Sequence, residues 1–371
     1  MRRLLACLLL FGYVATAQAA DILYLYNWNN YISDATMQRF EAQCRCTVKQ
    51  DFYSDNEEML AKLEAGAVGY DVLVPTGNAV ESLIRRGALR PIEPARLPHL
   101  NSLKAEFRHP WYDADDRYAV PYATSVTLIG YNVDKLRALD LPTDTWALIF
   151  EPKYLEKIKG RVTVLNSQRE LMAAAMRYLG HSVQSRKLDE WQQAKRLLIR
   201  AKPYWATFSN STYIKDLAVG NIWVAHGYSN DMYRAQQDAL DAKRPFTIGF
   251  TTPKEGAVLA VDNFVLHQSG RRPDLAHQFI DFMLAGANAA DVSNLIGAGN
   301  PNAAAMPHIR PEIAGNPAIF PPSQDLKRLE MLRDFDPQMR RALARMWTEI
   351  KVRWGMGLGA RGGMRMAWRG E

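Results

Sequence analysis

The chain has 371 residues, 48% of them hydrophobic and 23% charged, a balance that fits a globular protein of about two domains and excludes a disordered or fibrous one. The formal charge of +7 sits mostly at the ends, in Arg2 and Arg3 and in Arg353, Arg361, Arg365 and Arg369. Little remains for the body, so the charge gives no basis for nucleic-acid binding.

Arg2 and Arg3, the apolar run Leu4 to Val14 and the small-x-small site Ala17-Gln18-Ala19 read as a secretory signal peptide over 1–20, too short to span a membrane. Leu5-Ala6-Cys7 precedes the apolar run instead of following it, unlike a lipoprotein site. No later stretch is long and apolar enough to cross a bilayer. Ile22 to Tyr26 alternates as a strand, and Ser33 or Asp34 can cap a helix running through Phe40. Cys44 and Cys46 follow in QCRC. An exported setting permits a local disulfide, but the ring would be small, and the pair is equally readable as structural or incidental. Thr47 to Tyr53 is a second strand. Ser54-Asp55-Asn56-Glu57 has the form of a capping box and starts a helix with Met59, Leu60 and Leu63 on one face. Tyr70 to Pro75 is a short apolar strand of the kind buried on both faces of a sheet, and Ala79 to Arg86 is a helix.

The second half repeats this order. Arg161 to Leu165 is a strand, Ser167 to Leu179 and Leu188 to Ala201 are helices, and Ile222 to His226 is a buried strand before a helix from Ser229. Val258 to Leu266 is a strand and Leu275 to Met283 a helix. Two α/β units with open, mostly parallel sheets follow from this alternation. Tyr118 to Val133, which joins them, reads as extended strand. The Gly- and Arg-rich stretch 353–371 reads as a disordered tail.

Open parallel sheets bind ligands beyond the carboxyl ends of their strands. Trp28 to Tyr31, Thr76 to Asn78, Asn166 to Glu170 and Gly227 to Asp231 occupy such positions and would line a common cleft if the units face each other. Asp262 stands inside the apolar strand AVLAVDNFVL, where an uncompensated ion costs roughly several kcal/mol. Ser167-Gln168-Arg169-Glu170 is itself a capping box, so Glu170 has a purely structural reading. Asp231 lies in the first turn of a helix, where a negative charge gains roughly 0.3–1 kcal/mol. The aromatics Trp28, Tyr31 and Tyr228 share these loops. Carboxylates with aromatic rings and no matching Lys or Arg suit a cationic ligand, and the amides of Asn29 and Asn30 can add hydrogen bonds. No GxSxG, HExxH, Walker or GxGxxG motif occurs, and no His pair has metal-ligand spacing on one helix. An acid pair cleaving a glycoside is the weaker rival.

From LYNWNNYIS through SDNEEMLAKLEAG, YDVLVPT, YAVPYATSVTLIGYNVD, TWALIFEPKYLEKIKGRV and LAVGNIWVAHGYSND to PKEGAVLAVDNF, the chain resembles the periplasmic spermidine/putrescine-binding proteins of bacterial ABC transporters. The resemblance runs from about Leu23 to Lys351. It implies an α/β fold of the type II periplasmic-binding-protein kind, with two lobes joined by a strand hinge and closing over the ligand. Lobe 1 would be 21–125 with a return segment 262–307, and lobe 2 would be 126–261 with C-terminal helices over 308–352. It implies a monomer that carries a small cationic amine to an inner-membrane ABC permease from the periplasm, with no catalysis, no cofactor, no metal and no nucleic acid. Carried over residue by residue, Trp28 and Tyr31 match an aromatic lip, Thr76 a hydroxyl position, Ser211 a polar contact, and Glu170, Asp231 and Asp262 the acids that hold ammonium groups. The family usually has an acid where this chain has Asn30, Trp where it has Thr124 and Tyr228, and an aromatic near Ala298. These departures imply an amine with fewer charges or a capped end, such as an acylated or conjugated polyamine.

Overall fold

The computed structural model describes residues 21–29 and 31–352; the proposed signal peptide, the proposed tail and Asn30 lie outside the described residues. Eleven strands are found among the described residues: β1 (Ile22–Trp28), β2 (Thr47–Tyr53), β3 (Val72–Leu73), β4 (Leu89–Arg90), β5 (Ala119–Asn132), β6 (Val162–Val164), β7 (Thr207–Phe208), β8 (Val224–Tyr228), β9 (Ile248–Thr251), β10 (Ala257–His267) and β11 (Leu329–Glu330). They join in the order β2-β1-β3-β10-β5-β8-β6-β7, with β4 and β11 on β10 and β9 on β5. The outer strands pair in parallel, β1 with β2 and β3, and β6 with β7 and β8. The long strands β5 and β10 are antiparallel to each other and to β8 and β3. These two antiparallel strands are the hinge of a two-lobed fold.

Apolar side chains gather accordingly. Leu23, Leu25, Phe40, Val72, Val120, Phe264 and Phe279 pack in one core. Val126, Leu128, Trp146, Val162, Leu171, Trp191, Val224 and Met346 pack in another. β5 changes cores between Ala123 and Val126, and β10 contributes Ala257 to one and Phe264 to the other. Each fully buried large side chain contributes roughly 1.5–3 kcal/mol, and the crossing strands β5 and β10 supply such side chains to both cores.

A third segment ties the halves. β11 pairs with the start of β10. Beyond it, Phe335 packs on Trp191 with ring centroids 5.7 Å apart. Asp334 forms ion pairs with Arg85 of the first half and Arg340 of the C-terminal helix Pro337–Val352. The Asp334 N–H donates to Glu81 at 2.9 Å, and the Arg333 guanidinium lies 4.5 Å from the Trp111 ring centre.

Several local signals act as the sequence suggests. Ser33 caps the helix Asp34–Cys44, accepting from Thr36 N–H at 3.1 Å. The helix ends where Arg45 takes a left-handed φ of 55°, and this turn brings Cys44 and Cys46 into a disulfide. The capping box at 54–57 is corrected by one residue. Asp55 caps the helix Asn56–Glu64 by accepting from Glu58 N–H at 2.7 Å, and Glu58 reaches back to Ser54 N–H at 2.8 Å. Reciprocal capping requires the acid three residues after the cap, so Glu57 takes no part. The strand expected at Ile222–His226 runs instead over Val224–Tyr228, because Tyr228 pairs with Thr127 at the end of the β5–β8 ladder.

Candidate functional site

Asp262 stands at a register shift in β10, between Asp262 and Asn263. Such irregularities re-aim a side chain. The backbone here is fastened to the loop after β3. Asp262 bridges Thr76, and Asn263 N–H donates to the Pro75 carbonyl at 2.9 Å. Asp262 is only 3% exposed, and its Oδ1 has no hydrogen-bond partner among the described residues. Burial pushes its carboxyl up to about 7, while the polar groups of Tyr31 and Trp28 pull it back. An unpaired buried polar atom costs about 1–3 kcal/mol, which a cation at that carboxylate would offset.

Trp28 and Tyr31 stand with ring centroids 6.1 Å apart. Trp28 is backed by Tyr53 at 4.6 Å, whose hydroxyl donates to the Val74 carbonyl at 2.6 Å. Trp28 Nε1 is buried, makes no hydrogen bond of ordinary geometry among the described residues, and lies near enough to Asp262 to favour its ionised form. Burial raises the Tyr31 phenol well above its ordinary value, and the charges of Asp262 and Asp231 add to the effect. The charges of acids from both halves thus reach Tyr31. Asn29 is exposed in the turn after β1.

Glu170 is not the reciprocal cap of its helix. Ser167 does cap Gln168–Tyr178, accepting from Glu170 N–H at 3.4 Å. The Glu170 carboxylate instead accepts from the Thr127 hydroxyl at 2.6 Å, turning inward to β5. Burial raises it to about 7, against the pull of Thr127 and Arg169. Asp231, in the first turn of Ser229–Asp241, accepts from the Tyr213 hydroxyl, and burial raises it to about 6. Tyr228 lies among all these acids. After burial, the largest causes of its raised phenol pKa are Glu170 and Asp231, followed by Glu57 and Asp262. None of Glu170, Asp231 and Asp262 takes part in an ion pair among the described residues.

Thr76 is held in place from both sides. Asn56 Nδ2 donates to its hydroxyl oxygen at 2.6 Å, and that hydroxyl donates to Asn78 at 2.8 Å. Ser211 is not drawn into this group. It is exposed, its N–H is held by Ser209 at 3.2 Å, and its hydroxyl does not join the three acids. Thr124 is buried and its backbone pairs with Gly299, while Ala298 packs in the first core.

Three residues that complete the group were not singled out from sequence. Tyr213 positions Asp231. Its signal was Gly227 inside the strand WVAHGY, since a Cβ there would stand 2.5 Å from the Tyr213 ring. Tyr53 supports Trp28. Glu57 carries a carboxyl raised by the surrounding protein although it is exposed. Its signal was the doublet Glu57-Glu58, one acid more than a capping box uses.

A two-lobed α/β protein with buried, unpaired carboxylates where the lobes meet is built to hold a small solute. Residues 35–321 match the family described as bacterial extracellular solute-binding protein, and the chain belongs to that family. It is similar, at 51% identity over 95% of its own length and all of the relative's, to a putrescine/cadaverine-binding protein of Pseudomonas aeruginosa. The putrescine-binding periplasmic protein PotF of Escherichia coli is 35% identical, over 89% of this chain and 91% of the relative. Among solved structures, the Tp0655 (TpPotD) lipoprotein of Treponema pallidum superimposes with a TM-score of 0.78 at 29% identity, covering 90% of this chain and all of that one. The first two relatives are named as binding proteins, and the solute-binding role of the family extends to this chain.

Proposed function

We propose that this protein captures a polyamine or related small cationic amine between its lobes, in the periplasm, and delivers it to an inner-membrane ABC permease. The single observation that carries the reading is Asp262, buried and short of a hydrogen-bond partner beside Trp28 and Tyr31, with Asp231 and Glu170 around Tyr228. An ammonium supplies the charge these acids lack and gains about 0.5–2 kcal/mol from an aromatic face. The names of the curated relatives point to the same chemistry. The moving units are 21–125 with 262–307 and 126–261 with 308–352. A ligand touching both stabilises the closed state over the open one.

Calorimetric titration with putrescine, cadaverine, spermidine and mono-acetylated putrescine tests the reading. Binding of at least one diamine is expected, with the ligand recovered intact by mass spectrometry after incubation. Failure of every amine to bind, or its conversion to a product, overturns it. A preference for the acetylated form would favour the capped-amine alternative that Asn30 implies.

A further inference from the structure

We propose that Asn230 is a further ligand-binding residue of the cleft, a neutral acceptor that takes an N–H of the amine beside the carboxylate of Asp231. This rests on the amine reading above and deepens it.

The placement comes from the packing of the helix Ser229–Asp241. Its start is pinned to the hinge strand β5: Tyr228 pairs with Thr127, and the Val126 N–H donates to the Ser229 hydroxyl at 3.1 Å. Met232, Ala235 and Ala239 of the same helix pack in the core of the second half. Residues three apart share a helix face, and Tyr233 lies three beyond Asn230. The Tyr233 ring stands so close to Gly297 that a Cβ on that glycine would meet it at 2.3 Å. Gly297 directly precedes Ala298, which packs in the core of the first half. The helix face that carries Asn230 therefore looks from the second half across to the first.

Asn230 is 8% exposed, and its Oδ1 is buried with no hydrogen-bond partner among the described residues. Its amide is oriented by the neighbouring acid. Asn230 Nδ2 donates to Asp231 Oδ1 at 3.4 Å, and Asp231 Oδ2 accepts from the Tyr213 hydroxyl. Turning the amide over would set its oxygen against a carboxylate, so the donor stays on Asp231 and the acceptor is left for a hydrogen from elsewhere. Helix capping does not use it, since Oδ1 takes no N–H of the first turn. A buried acceptor without a donor destabilises the empty protein. An amine in the cleft brings that donor. The positive end of the helix dipole disfavours a cation here, but its effect is weaker than a charge-assisted hydrogen bond. Asp231 supplies the charge, and Asn230 adds an acceptor with no further charge to neutralise.

The test measures putrescine and cadaverine binding by calorimetry on three proteins. These are the native protein, Asn230→Leu, which keeps the size of the side chain and removes the acceptor, and Asn230→Ala, which adds no bulk. Affinity is expected to fall about ten- to hundredfold in both variants. Because the deleted oxygen has no partner in the ligand-free protein, the melting temperature without ligand should stay level or rise. A crystal structure of the native complex should place a ligand nitrogen about 2.7–3.2 Å from Asn230 Oδ1. Unchanged affinity overturns the assignment, as does a ligand-free melting temperature lowered enough to account for the loss. Affinity lost without that contact in the complex also overturns it, because Asn230 would then only steady Asp231. If the native protein binds neither diamine, the amine reading falls and takes this assignment with it. If it binds one and both variants bind it as well, only the role of Asn230 falls.

Discussion

Thr127 donates its hydroxyl to Glu170 at 2.6 Å while standing opposite Tyr228 in the β5–β8 ladder. The hinge strand itself thus sets the charge of a second-lobe acid. The hydroxyl favours the ionised form, so Thr127→Val should raise the Glu170 pKa above its present value of about 7. Amine affinity at neutral pH should fall about three- to tenfold and recover in part at pH 8.5. Calorimetry at the two pH values checks this.

Asp231 at about 6 and Glu170 and Asp262 at about 7 lie above their ordinary values. A cation binds their ionised forms, so affinity should fall as pH drops through 7 to 6, and binding near pH 6.5 should release protons. Titration in buffers of different ionisation enthalpy counts them. The ligand-free protein should respond in the opposite sense. Between the unfolded carboxylate values near 4 and these raised values the folded state holds more protons than the unfolded one, so its stability should rise as pH falls through that window. Thermal melting between pH 7.5 and 5 measures that slope.

Asp262→Asn removes a buried charge that has no ion-pair partner. It should raise the melting temperature of the ligand-free protein and weaken amine binding about ten- to hundredfold. Two effects of opposite sign from one substitution separate a ligand-holding acid from a structural one. A variant that loses stability and keeps its affinity would show that Asp262 serves the fold.

Asp334 links Arg85 to Arg340 and is nearly buried. Asp334→Ala strands two guanidinium groups and should cost about 1–3 kcal/mol in chemical denaturation. Because Arg85 and Arg340 are about half exposed, the effect should stay well below that of a fully buried pair. Amine affinity should change as well, since the bond joins the two halves.

The alternation of strands and helices, the Ser33 cap and the extended 118–133 segment were legible from residue type and spacing, while the grouping of Glu170, Asp231 and Asp262 came from the family resemblance. The antiparallel course of β5 and β10 was not, because strand propensity carries no direction. The roles of Glu57 and Glu170 were obscured for one reason. A capping pattern says which acids could close a helix end, but only geometry decides between two that compete. At 54–58 the box used Glu58 and left Glu57 over, and at 167–170 Glu170 found a better donor in Thr127. Ser211 was named from the family resemblance, while Tyr213, two residues on, makes the bond to Asp231. An aromatic hydroxyl in an apolar helix reads as core until its partner is seen.

The strap that carries Arg333, Asp334 and Phe335 across from β11 has a mechanical consequence. Two adjacent ribbons would permit both bending and swivelling about their common line. A third attachment, held off that line by Arg85, Glu81 and Trp111, adds resistance to torsion between the halves.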